Sequence, residues 1–142
     1  MYKAGRYDIK GKQYLKSLEK YYIVDVRLRK LLINKKHSDI GHILENIVYL
    51  ELIRRGYAVY IGKIGDLEID FIVERNNEKT YYQVSATILD ENMFKREITP
   101  LKKIKDNFQK YIISMDEINL NEDGIKHINI LDFLQNKENG VR

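Results

Sequence analysis

The residues whose types and spacing could do chemistry lie in the stretch DLEIDFIVERNNEKTYYQVS, residues 66–85. Two runs of period-two alternation flank Asn76-Asn77, a pattern that predicts a β-hairpin. Asn accepts positive φ, so the pair can serve as a two-residue turn. With the turn there, facing residues have numbers that sum to 153. Asp70 then lies opposite Gln83, Glu68 opposite Ser85 and Ile72 opposite Tyr81. Directly opposed side chains share a face, so Glu68, Asp70, Gln83 and Ser85 are expected to form one polar patch. Leu67, Ile69, Phe71, Val73, Tyr82, Val84 and Ala86 would form the apolar face behind it. A carboxylate facing an amide with a core behind both is a candidate site, and a half-solvated strand pair is the plain alternative.

A third strand, 57–61, precedes this hairpin. A tight turn at Gly65-Asp66 makes opposed numbers sum to 131, which brings Ile61 near Asp70 and Lys63 near Glu68. Before it comes the clearest helix, in which Ile40, Ile43, Leu44, Ile47, Val48 and Leu52 recur at helical spacing. Ser38 or Asp39 is expected to cap it and Gly56 to stop it. Glu45 borders its apolar stripe, and Glu51 reads as a solvent-side partner of Arg54. After the hairpin, a helix over 92–98 is expected to restart at Thr99-Pro100, with Thr as cap and Pro at the first helical position. Strands over 111–115 and 127–130, a loop over 119–124 and a helical turn over 131–134 follow. The order predicts an α/β fold, a mixed central sheet with helices on its faces.

Composition narrows the chemistry. The 142 residues are 44% hydrophobic and 32% charged, as in a globular domain. No apolar run is long enough to span a bilayer, and with no cysteine the expected compartment is the cytoplasm. Thiolate metal sites are excluded. The three histidines lack ligand spacing, so any metal would be an oxygen-liganded ion such as Mg²⁺ or Mn²⁺. Phosphate-binding GxxxxGK[ST] and GxGxxG loops are absent, as are GxSxG and HExxH. Charge is uneven. Residues 1–37 carry an excess of +8, and the remainder is −4. In the first segment Tyr14, Tyr21 and Tyr22 interleave with Lys12, Lys16 and Lys20, a pattern suited to nucleic-acid stacking and phosphate contact or to an amphipathic strand.

A Glu on the first helix, an Asp in the second strand and a triplet in the third is the motif order of the restriction-endonuclease-like, PD-(D/E)xK, nuclease superfamily. This chain resembles it through Glu45, Asp70 and Gln83-Val84-Ser85. The phrases RYDIKGKQYL, KYYIVDVRLR, GHILENIVYLELIRRGYAVYIGK, EIDFIV, YYQVS and EITPLKKIKDNFQKYIISMD look more narrowly like the C-terminal region of prokaryotic AAA+ type ATPases. That resemblance covers residues 6–134. It implies a remnant of a winged-helix-like linker over 1–37 and a nuclease-like domain over 38–134, with an N-terminal ATPase domain as partner, while the polar composition of 135–142 predicts a disordered tail. It also implies a Mg²⁺ or Mn²⁺ site at Glu45, Asp70 and Gln83.

In that superfamily the triplet supplies a carboxylate and a Lys that steadies the nucleophile. Gln83 offers a neutral oxygen, and Ser85 cannot replace an ammonium. Lys63 is the nearest strand Lys, either standing in for the missing one or pairing with Glu68. Three readings follow. One is an accessory module with a degenerate site, binding nucleic acid or a protein partner. Another is an active metal-dependent DNA nuclease using Glu45, Asp70 and Gln83, with Lys63. The third is a docking or oligomerisation domain with no nucleic acid.

Overall fold

The computed structural model describes Lys30, Leu32 and residues 34–135, without the side chain of His37. Lys12, Lys16 and Lys20 lie outside the described residues, as do most of the expected linker remnant and nearly all of the expected tail. The elements run α1 (His37–Arg54), β1 (Ala58–Ile64), β2 (Leu67–Arg75), β3 (Glu78–Val84), α2 (Glu91–Lys102), β4 (Gln109–Ser114), β5 (Asn121–Glu122), β6 (Ile125–Asn129) and α3 (Ile130–Leu134). The six strands form one mixed sheet in the order β1-β2-β3-β4-β6-β5. β1, β2 and β3 make an antiparallel meander, and β3, β4 and β6 run parallel. The fold is α/β with helices on both faces, as expected.

Local sequence explains the turns. Asn76 and Asn77 both take positive φ, 55° and 68°, as a type I′ hairpin turn requires. The β2–β3 register from Phe71↔Tyr82 to Arg75↔Glu78 keeps the sum of 153. Gly56, at φ 91°, closes α1 in a Schellman arrangement: its N–H donates to Ile53 O, and Tyr57 N–H donates to Leu52 O. The start of α1 differs from expectation. The helix begins at His37 behind Lys36, which makes no side-chain cap bond, so neither Ser38 nor Asp39 is the cap.

Two apolar layers sandwich the sheet. On one face α1 and α3 bury Leu44, Ile47, Val48, Leu52, Ile130 and Phe133 against Phe71, Val73, Tyr82, Val84, Tyr111 and Ile113, with Leu32 joining them. On the other, α2 packs Ile98 and Leu101 against Ile69, Tyr81, Ile112 and Ile125. Ile69 is therefore not on the face of Phe71 and Val73, contrary to the alternation. The cause is a β-bulge. Tyr60 pairs with Ile72 but Gly62 pairs with Ile69, so Asp70 and Phe71 together face Ile61. The extra residue flips everything before it. Gly62 belongs to the same irregularity, since a Cβ there would lie 2.3 Å from Ile72 Cδ1.

α2 is one helix and does not restart at Thr99-Pro100. Asp90 caps it, its carboxylate accepting from Asn92 N–H and Met93 N–H. Thr99 caps nothing and donates its hydroxyl to Lys95 O. Pro100 sits inside the last turn, where its ring is buried with Ile98 and Leu101 on the sheet. That burial offsets the lost N–H. Further along, the expected loop over 119–124 contains the two-residue strand β5, and β6 begins at Ile125, before the expected start at 127.

Candidate active site

The bulge sets Asp70 at the point where β2 and β3 part. Their backbone register stops at Phe71↔Tyr82, and one residue further the side chains take over. Asp70 N–H donates to Gln83 Oε1 at 2.8 Å, while Asp70 Oδ2 accepts from Val84 N–H at 2.8 Å. Gln83 is only 3% exposed, and its Nε2 donates to Glu97 O on α2 at 3.0 Å. Facing of Asp70 and Gln83 is thus realised, but as a reciprocal side-chain lock. Ser85 does not join the patch. It is buried, and its hydroxyl donates to Thr87 O at 2.9 Å.

Carboxylates from both faces of the sheet converge on this lock. Burial pushes Asp70 up to about 6, against the pull of the Val84 N–H, and Glu68 raises it further. Burial pushes Glu97 up to about 7, with Asp70 adding to it and Arg96 opposing. Burial pushes Glu45 up to about 8, helped by Asp70, Glu97 and Glu68. Burial is the largest cause for all three, and the charges of neighbouring acids add to it. Near neutral pH Asp70 gives up its proton more readily than Glu45. Such a pair can exchange protons with a ligand, or release them to a cation.

Glu97 was not a sequence candidate. On a helix bearing Lys95, Arg96 and Lys102 it reads as one more solvated charge, and only the packing of α2 brings it to Asp70. Lys63 is less central than expected. It is exposed and pairs with Glu68 in strand register, but no ion pair forms between them, and no lysine is among the charges acting on Glu45 or Asp70. Among the described residues no group of three carboxylates or imidazoles is gathered closely enough to hold a metal ion. Gln83, expected as a ligand, has both its amide atoms engaged in the lock.

That engagement can be measured. Gln83→Leu should lower stability by about 1–3 kcal/mol in urea unfolding, because it leaves Asp70 N–H and Glu97 O buried without their partner. An unchanged midpoint would free Gln83 for ligand chemistry.

A second polar cluster holds the loop between β3 and α2. Asp116 accepts from the Thr87 hydroxyl at 2.7 Å, from Ile88 N–H at 2.7 Å and from the Ser114 hydroxyl at 2.9 Å. Ser114 Oγ also lies 2.6 Å from His127 Nε2. This is not a nucleophile. Ser114 is 0% exposed, with no face for a substrate, and burial lowers the His127 pKa. The cluster is a brace.

Two curated proteins match the chain. An uncharacterised protein of Haemophilus influenzae is 45% identical over 134 residues, which is 94% of this chain and 33% of that protein. An uncharacterised protein of Methanocaldococcus jannaschii is 30% identical over 120 residues, 82% of this chain and 26% of that protein. The chain therefore spans a third or less of the length of these relatives. No protein-family model and no solved structure matches it.

Proposed function

We propose that this chain is a nuclease-fold accessory module of an AAA+ type ATPase, acting in the cytoplasm by binding nucleic acid or a protein partner and not by cutting DNA. The observation that carries this reading is the engagement of Gln83. A metal-dependent nuclease needs a free second ligand and an ammonium beside the scissile phosphate. Here the residue at the ligand position ties β2 to α2, and Ser85 is turned into its own loop. Both relatives are much longer than the segment they share with the chain, which leaves room for an ATPase domain. Among the described residues no helix is long and apolar enough to cross a membrane.

The active nuclease is the second reading, and the raised acids favour it. A divalent ion entering the cleft would favour the ionised form of whichever carboxylates it met and displace their protons. Plasmid cleavage separates the two. The chain is expected to leave supercoiled DNA intact in Mg²⁺ and in Mn²⁺. Cleavage by the wild-type chain that disappears in Asp70→Ala would replace the accessory module with an enzyme.

A further inference from the structure

At the far end of β3 from the acidic cleft, the loop between α2 and β4 is pinned more firmly than a connection needs. Asp106 accepts from the Tyr81 hydroxyl at 2.6 Å, from Lys110 Nζ at 2.9 Å and from Phe108 N–H at 3.0 Å. Lys110 is a buried lysine, 7% exposed. It spends its other donors on Asp106 O and Phe108 O, at 3.0 and 2.9 Å, and lies 5.4 Å from the Tyr81 ring centre. Burying an ammonium is costly unless every donor is satisfied. Here all three are used to fix one short loop.

What the loop displays is different in kind from what holds it. Phe108 leaves 37% of its surface in solvent, and Lys103, Lys105 and Asn107 are exposed around it. Lys102, one position earlier, is bridged to Glu122 and Asp123. Lys103 and Lys105 have no ion-pair partner among the described residues. The negative end of the α2 dipole accounts for a cation at Lys103. It accounts for neither Lys105 nor an exposed aromatic ring two residues past Asp106.

We propose that residues 103–109 form a preorganised contact for single-stranded nucleic acid, with a base stacking on Phe108 and backbone phosphates meeting Lys103 and Lys105. An exposed ring on the same short loop as two unpaired ammonium groups is the pairing of chemistries that single strands use. A loop already rigid loses little entropy when it binds. Location supports the choice. In the parallel register Thr80↔Gln109 marks this end of the sheet and Val84↔Ile113 the other, so roughly 13 Å of strand separates the loop from Asp70, and the nearer acids are paired, Asp106 with Lys110 and Glu122 and Asp123 with Lys102. An acidic peptide without aromatic residues could satisfy the lysines but has no ring to stack.

This inference rests on the nucleic-acid half of the proposed function, and the experiment separates the two. The sequence contains no tryptophan, so Phe108→Trp makes a single fluorescent reporter at the contact. Titration with a thymidine 20-mer at low salt is expected to quench it, and a glutamate 20-mer is expected to leave it unchanged. In anisotropy with the labelled thymidine 20-mer, Phe108→Ala should bind about tenfold more weakly than wild type. Lys103→Ala with Lys105→Ala should reduce the salt slope of log K by about 0.7 for each lysine. Wild-type affinity retained in both variants would overturn the loop as the contact while leaving nucleic-acid binding in place. No binding by the wild-type chain would overturn both. Equal quenching by the glutamate peptide would reassign the loop to an acidic protein.

Discussion

Glu51→Ala should be the most destabilising single substitution in α1, costing about 3–5 kcal/mol in equilibrium urea unfolding. The side chain is 1% exposed, not on the solvent side as its spacing from Arg54 had predicted. Arg54 grips it through Nε at 2.9 Å and Nη2 at 2.7 Å, and Arg55 Nε reaches the same carboxylate at 2.6 Å. Arg55 is the partner that matters. It stacks 4.4 Å over Phe133, donates to Phe133 O and offers its own carbonyl to Arg75, which stacks on Tyr57. Removing Glu51 takes a buried carboxylate away from that guanidinium, which is only 12% exposed beside the α1–α3 contact.

The mechanism has its own check. When a buried pair is replaced by apolar residues of similar size, most of the penalty disappears, because no charge is left unpaired. Glu51→Leu combined with Arg55→Met should therefore cost clearly less than the sum of the two single changes. Strict additivity would mean that the 2.6 Å contact between Arg55 and Glu51 contributes nothing as a pair.

Legibility divides along the range of the interaction. The hairpin was readable because its causes are local: Asn76 and Asn77 fix the turn, and the turn fixes the register. The C-terminus of α1 was readable for the same reason, through Gly56. The bulge was not, since residues 67–71 keep an unbroken alternation through the very point where it sits. What interrupts it is the close approach of Gly62 to Ile72 on the neighbouring strand. Glu51 misled because the residue that makes its burial tolerable, Arg55, is itself set by Phe133, 78 positions downstream. Part of the cleft was legible. Asp70 and Gln83 stood out by type and register, and Glu45 through the motif order of the resemblance. Glu97 has no local signal, because a lone acid among lysines looks solvated until a helix carries it to the sheet.

Glu45→Gln should stabilise the chain at pH 8 and leave it nearly unchanged at pH 4.5. The sign follows from linkage. A carboxyl raised by folding binds its proton more tightly in the native state, so stability is highest below the unfolded pKa and falls as pH rises through the folded one. For Glu45 that window runs from 4.5 to about 8, with Glu97 falling between 4.5 and about 7, and Asp70 between 3.8 and about 6. Gln keeps the shape and removes the group that must ionise last, against all the others. The gain at pH 8 should be on the order of 2 kcal/mol, or roughly 4–8 °C in the melting temperature. The same melts test the cleft as a cation site. Mn²⁺ that raises the wild-type melting temperature at pH 8, but not that of Glu45→Gln, would show the carboxylates exchanging protons for a metal. If Glu45→Gln instead melts below wild type at pH 8, Glu45 is a satisfied rim residue, and the burial and repulsion that raise it are not there.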